Sequence, residues 1–162
     1  MKKFILRAIF SLCFGIYLFL GTASSTWGET TSVKLTEEDV TKIIDAAQKK
    51  AKEIGVGMSI SVVDEGGNLL GFIRMDGAFL HSIHTSYSKA YTAASIRRPT
   101  GSFPPPVSEE ISSITNGRFT NLKGGMPIMI NGKVVGAVGS GSGTGEQDEM
   151  VSRAGAEAIA QK

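Results

Sequence analysis

Apolar residues recur at helical spacing in the first regularly patterned part of the chain. The recurring positions are Val40, Ile43, Ile44, Ala47, Ala51 and Ile54. Thr36 stands before three consecutive acidic residues, an order that is typical of a helix N-cap followed by charges that the helix dipole favours. The pattern predicts an amphipathic helix that begins after Thr36 and ends near Gly55.

Two pairs of β-rich runs are each separated by turn residues. The runs 58–63 and 69–75 flank a turn rich in Asp, Gly and Asn. The runs 127–130 and 133–138 flank Asn131-Gly132, a strong two-residue signal for a hairpin. The sequence therefore predicts two antiparallel hairpins.

Three further helices are predicted between and after the hairpins. The first covers about 81–94, and its apolar stripe consists of Ile83, Tyr87, Ala90, Tyr91 and Ala94. A short polar helix follows near 107–114. In the last helix, Thr144 and Gln147 fit a capping box, and the apolar side contains Val151, Ala154, Ala158 and Ile159. The order of the elements predicts an α+β fold in which helices flank an antiparallel sheet.

The first residues have the organisation of a secretory signal peptide. Lys2, Lys3 and Arg7 precede an uncharged apolar run at 8–20, and small residues follow up to Ala23. We expect a signal peptide at 1–23, a flexible leader at 24–34 and one domain at 35–162, and therefore a periplasmic or secreted protein. An uncleaved anchor is the alternative, but the run is shorter than the roughly 20 residues that a bilayer span needs. We expect no stable membrane anchor after cleavage.

Charge and cysteine content narrow the function classes. The chain has 17 basic and 15 acidic residues, and three of the basic ones lie in 1–23, so the mature chain is close to neutral. This balance gives no indication of nucleic-acid binding. Cys13 lies inside the signal peptide, and Leu12 before it is too large for a lipoprotein processing site. The mature chain then has no thiol for a disulfide, a nucleophile or a metal site.

Few motifs point to chemistry. The glycine-rich stretch 136–145 lacks the spacing of a phosphate-binding loop, and no serine lies in a nucleophile elbow. His81 and His84 share one side of their helix, although most such pairs are surface residues rather than ligands. Arg97 and Arg98 either bind an acidic group or respond to the dipole of the helix end.

The chain as a whole resembles the GlcG/HbpS-like haem-binding family, over about 35–159. The resemblance is carried by 62–69 (VVDEGGNL), 74–78 (RMDGA), 89–93 (KAYTA), 124–128 (GGMPI), 132–139 (GKVVGAVG) and 143–148 (GTGEQD). It implies a profilin-like fold, self-association and, for some members, binding of haem or iron in exported proteins.

Haem binding is therefore the leading hypothesis for function. A haem site needs an axial donor, an apolar slot and cations for the propionates. We expect His84 or His81 to bind the iron, with His84 favoured because it borders the predicted stripe. The remaining candidates are Tyr87, Tyr91 and Met75 for the slot, and Arg97, Arg98 and Lys89 for the propionates.

Two alternatives to a haem carrier remain. One is a binding module for another small molecule, and the other is a haem-degrading enzyme. Because no clear acid-base or nucleophile set is present, a non-catalytic role is favoured over an enzyme. We also expect a homo-oligomer, since small residues on the last helix can bring another backbone close. These residues are Ala154, Gly155, Ala156 and Ala158.

Overall fold

The computed structural model describes residues 33–159. Its elements, in chain order, are α1 (Glu37–Glu53), β1 (Ser59–Asp64), β2 (Leu69–Arg74), α2 (Ser82–Ile96), α3 (Pro105–Ile114), β3 (Gly125–Ile130), β4 (Lys133–Gly141) and α4 (Gly145–Glu157). The predicted signal peptide at 1–23 and most of the leader at 24–34 lie outside the described residues. Among the helices of 33–159, none combines the length and the apolar character needed to cross a bilayer.

One antiparallel sheet organises the domain. Its four strands lie in the order β2-β1-β4-β3. Both predicted hairpins are present, and β1 joins them by pairing along its length with β4. The predicted α+β class, with helices flanking an antiparallel sheet, is confirmed.

Helices α1 and α4 pack on one face of the sheet and against each other. Each begins with a capping box, formed by Thr36 with Asp39 in α1 and by Thr144 with Gln147 in α4. Both N-caps are the predicted ones. The larger core cluster includes Ile43, Ala47, Ile60, Val62, Ile128, Val138 and Val151, all fully buried. Burial of these side chains is the main favourable contribution to folding on this face.

Helix α2 packs on the opposite face, across β1, β4 and β3. It lies so close to the sheet that a Cβ atom at Gly139 would be 2.0 Å from the carbonyl oxygen of Ser86. Two serine pairs form hydrogen bonds between the helix and β1: Ser59 with Ser82 at 2.7 Å, and Ser61 with Ser86 at 2.9 Å. The buried side of α2 is therefore built from small residues.

The apolar stripe predicted for α2 is buried only at its two alanines, Ala90 and Ala94. The buried residues of α2 are Ser82, Ser86, Lys89, Ala90, Thr92, Ala93 and Ala94. Ile83, Tyr87 and Tyr91 are only half-buried. Because the helix approaches a glycine-rich strand, only small side chains fit between them, and the larger apolar residues lie on the flanks.

The small residues of α4 also differ from the expectation. Gly155 and Ala156 are buried, and a Cβ atom at Gly155 would be 3.1 Å from the carbonyl oxygen of Ile43. They pack α4 against α1 of the same chain, so they are not a free surface for another copy. Ala154 is half-buried and Ala158 is exposed.

The two edges of the sheet have different character. The edge strand β3 contains Pro127, which has no N–H to offer to another strand. The edge strand β2 contains no proline and exposes three large apolar side chains, Leu69, Leu70 and Phe72. The β2 edge is thus the less protected of the two.

Candidate functional site

His81 and His84 lie at the start of α2, and both side chains are exposed. The chain enters the helix through a tight turn in which the N–H of Ser82 donates to the carbonyl of Phe79. Neither imidazole has a hydrogen-bond partner within residues 33–159. Both rings are therefore free to donate a nitrogen lone pair to a ligand.

Two exposed apolar residues, Phe79 and Leu80, directly precede His81. The ring of Phe79 stacks on the ring of His81, with centroids 5.6 Å apart and planes inclined by 16°. Phe79 is 61% exposed and Leu80 is 71% exposed. The backbone N–H of Phe79 donates to Oγ of Ser142 at 2.9 Å, which ties this turn to the end of the sheet. We call Phe79, Leu80, His81 and His84 the histidine face.

A small cleft adjoins the histidine face, between α2 and the start of α4. Its volume is about 200 Å³, and we call it the α2–α4 cleft. Its lining comprises His81, Thr85, Lys89, Leu122, Lys123, Ser142, Gly143, Gly145 and Asp148. Three separate stretches of the chain contribute, 81–89, 122–123 and 142–148, so the cleft forms only in the folded protein.

A buried ion pair borders the cleft. Nζ of Lys89 lies 2.5 Å from Oδ2 of Asp148, and both side chains are 4% exposed. The same Nζ donates to the carbonyl oxygen of Ser140 at 2.9 Å. The other carboxylate oxygen of Asp148 accepts from the N–H of Gly143 at 3.0 Å. Such bonds offset the cost of removing both charges from water.

Tyr87 and Tyr91 lie against the turn between β1 and β2. The hydroxyl of Tyr87 donates to the carbonyl oxygen of Gly67 at 3.1 Å. A Cβ atom at Gly67 would lie 2.6 Å from the ring of Tyr91, so the ring covers this glycine closely. Neither tyrosine lines the α2–α4 cleft.

The remaining predicted residues occupy other parts of the molecule. Arg97 is the C-cap of α2 and has a left-handed backbone, with φ 56°. The guanidinium of Arg98 lies 4.8 Å from the ring centroid of Phe103. Met75 lines a separate groove with Lys52 and Arg74. The structure therefore brings together only His81 and Lys89 in one cleft, with His84 close by on the helix.

Sequence reasoning missed several residues of the cleft. Thr85, Lys123 and Ser142 stand in none of the motifs of the sequence analysis, and Asp148 ends the family-like stretch 143–148 without any sign of a role in a site. The one usable signal was the helical spacing of His81, Thr85 and Lys89, which places all three along one side of α2. The partners from the loops and α4 follow only from the tertiary fold.

The histidine face fits a haem better than it fits a bare metal ion. Within residues 33–159, no group of three or more His, Cys, Asp or Glu side chains is placed to hold a metal. A haem iron needs only an axial donor from the protein, and an exposed imidazole meets that need. The α2–α4 cleft, with a volume of about 200 Å³, is smaller than the roughly 300 Å³ at which pockets for drug-sized ligands begin, so it cannot enclose a macrocycle.

Comparison with known sequences identifies relatives of the chain. Residues 35–157 match the family model described as "Haem degrading protein HbpS-like". A 15.0 kDa protein of Citrobacter freundii is 44% identical over 115 residues, which cover 68% of this chain and 81% of that protein. Protein GlcG of Escherichia coli K12 is 36% identical over 110 residues, 67% of this chain and 82% of that protein.

Solved structures show the same fold. A double mutant of HbpS from Streptomyces reticuli matches with a TM-score of 0.73 and 32% identity, over 85% of this chain and 95% of that one. PduOC, solved as a complex with haem, matches with a TM-score of 0.72 and 26% identity, over 78% of this chain and 96% of that one. On the family match and on these structures, the chain belongs to the HbpS-like family.

Proposed function

We propose that this protein binds haem outside the cytoplasm, in a sequestering, sensing or transfer role. The observation that carries the proposal is the histidine face, where two exposed imidazoles have no hydrogen-bond partner within residues 33–159 and one of them, His81, stacks on the exposed ring of Phe79. Membership of the HbpS-like family and the haem complex of the related PduOC support it. The apolar side chains would exchange water for the macrocycle, which is favourable in proportion to the apolar area covered.

His81 is the better candidate for the axial ligand. The sequence favoured His84 because it borders the predicted stripe of Tyr87 and Tyr91, but these tyrosines pack against the turn at Gly67. The exposed aromatic ring stacks on His81 instead. His81 also lines the α2–α4 cleft, together with the cationic side chains of Lys89 and Lys123.

Haemin titration followed by the Soret spectrum tests this proposal. We expect His81→Ala to change the spectrum and weaken affinity by at least about tenfold, the size of effect that loss of a metal ligand or its support has. His84→Ala is expected to have a smaller effect. Met75→Leu and Tyr87→Phe serve as controls and should keep the wild-type spectrum. If the double variant of His81 and His84 retains wild-type spectrum and affinity, the histidine face is not the haem site.

Haem degradation is a second candidate, favoured by the description of the family model. The titrated complex offers a direct test. Addition of ascorbate under air would bleach the Soret band and release a bile pigment if the protein degrades haem. A stable ferrous spectrum would support binding without turnover. A binding module for another small molecule would show no Soret change with haemin at all.

The proposal that the protein is exported rests on residues 1–23, where basic residues precede an apolar run and small residues, as in a signal peptide. The mature protein is expected to begin near Ser24. N-terminal sequencing of protein from the native cell tests this expectation, and a cytosolic pool that retains Met1 would contradict it.

Assembly into a homo-oligomer is the last part of the proposal. The β2 edge offers unpaired backbone groups together with exposed Leu69, Leu70 and Phe72, whereas Pro127 blunts the other edge. A second copy pairing through β2 would extend the sheet and cover these side chains.

A further inference from the structure

The ammonium group of Lys89 has an unused donor. A lysine ammonium carries three N–H donors. Within the described chain, two acceptors are bonded to Nζ of Lys89, Oδ2 of Asp148 and the carbonyl oxygen of Ser140. The side chain is 4% exposed, and it lines the α2–α4 cleft. A charged donor that is shielded from bulk water therefore faces a space large enough for a small group.

Other polar groups line the same space. Oγ1 of Thr85 has no hydrogen-bond partner within residues 33–159. Nζ of Lys123 is paired only with the exposed Glu146, at 3.1 Å, and the Lys123 side chain is 48% exposed. The imidazole of His81 completes this set of hydrogen-bonding groups. Asp148 does not oppose an incoming anion strongly, because each of its oxygens already accepts a hydrogen bond and Lys89 balances its charge.

We infer that the α2–α4 cleft binds a carboxylate group. A carboxylate is a planar monoanion with two acceptor oxygens, and these match the spare N–H of Lys89 and the hydroxyl of Thr85, with Lys123 supplying a second positive charge. Charge-assisted bonds of this kind are the stronger class of protein hydrogen bonds. A more highly charged anion is disfavoured because both lysines are already paired, Lys89 with Asp148 and Lys123 with Glu146, so the four side chains carry no net positive charge. The volume of about 200 Å³ admits a short acid or the end of a larger molecule.

Two sources offer the same carboxylate chemistry. One is a propionate side chain of haem bound on the histidine face, and this source rests on the proposed function. The other is a free short-chain carboxylic acid that occupies the cleft without haem. Because His81 belongs to both the histidine face and the cleft, the two sources predict different behaviour when haem and a small acid are offered together.

NMR titration of the full-length mature protein with sodium propionate tests the inference. We expect saturable shifts of the backbone amides of Thr85, Lys123 and Gly143, and no such shifts with propionamide, which has the same shape without the charge. Thr85→Val and Lys123→Gln should each weaken propionate binding by roughly tenfold, since each loses a bond to a charged group. Lys133→Gln, in the turn between β3 and β4, is the matched control and should bind propionate as the wild type does.

A second arm identifies the source of the carboxylate. Haemin and its dimethyl ester are titrated under the same conditions. If the ester binds more weakly, and if Thr85→Val and Lys123→Gln remove the difference, the haem propionate occupies the cleft. If haemin and ester bind equally while propionate still binds, the cleft serves a free acid.

The inference is overturned if Thr85→Val and Lys123→Gln change neither propionate binding nor the preference for haemin over its ester. It is also overturned if propionamide produces the same shifts as propionate. A failure of haemin to bind at all would remove the proposed function and leave the propionate result to decide the cleft, so the two failures are distinguishable.

Discussion

Asp64 shows how one side chain organises a turn. Its Oδ1 accepts hydrogen bonds from the N–H groups of Gly66 and Asn68, and both carboxylate oxygens accept from the side-chain amide of Asn68. Burial raises the pKa of Asp64, but the hydrogen bonds from Asn68, Gly66 and Gly67 together outweigh it and hold the pKa below its ordinary value of 3.8. The folded state therefore favours the ionised carboxylate.

This shift has a definite pH signature. The pKa of Asp64 is lower in the folded state than in the unfolded state. Its ionised carboxylate therefore stabilises the fold at pH values above the unfolded-state pKa, and this contribution is lost as the pH falls through the folded-state pKa. We expect Asp64→Ala to lower the free energy of unfolding at neutral pH by about 1 kcal/mol, a modest value because the site is partly solvated. Urea denaturation at several pH values measures it. The variant should approach the wild type in strong acid, and Glu65→Ala, in the same turn, should show no comparable change.

The pair Lys89–Asp148 is expected to behave unlike the surface ion pairs. Lys89→Met leaves Asp148 as a buried charge without its cation, which is expected to cost about 4 kcal/mol. Replacing both residues, as Lys89→Met with Asp148→Leu, should recover much of that loss. Lys42→Met is the control, since Lys42 pairs with Glu38 at the surface and is 51% exposed. Equal unfolding midpoints for Lys89→Met and Lys42→Met would contradict this prediction.

Residue-scale features differ in how far the sequence predicts them. The caps at Thr36 and Thr144 were predictable because a capping box is local and involves residues three positions apart. The burial of Lys89 was not, because lysine is almost always exposed and its partner Asp148 lies 59 residues further along the chain. Lys123 was missed for the same reason, since it lies far from α2 in the sequence, whereas Thr85 was missed although its helical spacing from His81 and Lys89 was a usable signal.

At the scale of elements, the sequence predicts the order and type of the helices and strands but only part of the buried side of α2, at Ala90 and Ala94. The large residues Ile83, Tyr87 and Tyr91 suggested one side. The actual contact is with β4, where Gly139 and Gly141 leave room only for the helix backbone and small side chains. Hydrophobic periodicity cannot reveal such a close approach, because it depends on which strand the helix crosses.

Gly139 is the element-scale position most sensitive to substitution. In Gly139→Ala the new methyl group would overlap the carbonyl oxygen of Ser86 and the N–H of Ala90, so α2 has to move away from the sheet. We expect a loss of about 3 kcal/mol in the free energy of unfolding, at the upper end for overpacking. Gly132→Ala is the comparison, because a Cβ there meets no atom within 4 Å and only the backbone, with φ +73°, is strained. Its cost should be about 1 kcal/mol.

Chemical denaturation of Gly139→Ala and Gly132→Ala measures the two losses of stability. Similar midpoints would mean that α2 adjusts to the added methyl group without loss. A selective effect of Gly139→Ala would also be expected to weaken haemin binding, since the histidine face is carried by the first turns of α2.

At the scale of the whole molecule, self-association was expected from the small residues of α4, and the structure uses Gly155 and Ala156 within the chain. One exposed apolar surface lies along β2, where Leu69, Leu70 and Phe72 are exposed. Phe72 and Arg74 point to the face of the sheet that carries α2, but α2 packs over β1, β4 and β3 and leaves β2 uncovered. The exposure of β2 follows from the position of α2 over the other three strands, and no local sequence signal predicts that position.

Pairing through β2 predicts how the assembly responds to charge. Leu70 is 42% exposed and Phe72 is 39% exposed on this edge, and a second strand would cover both while satisfying the free backbone groups. We expect the wild type to be at least a dimer at micromolar concentration. Leu70→Lys with Phe72→Lys should give monomers, because paired copies would bury like charges next to each other.

Ile114→Lys, at a residue that is 74% exposed on α3, controls for the general effect of an added charge and should leave the mass unchanged. Light scattering coupled to size exclusion measures all three proteins, and a wild-type monomer, or a double variant with wild-type mass, would show that β2 is not the contact.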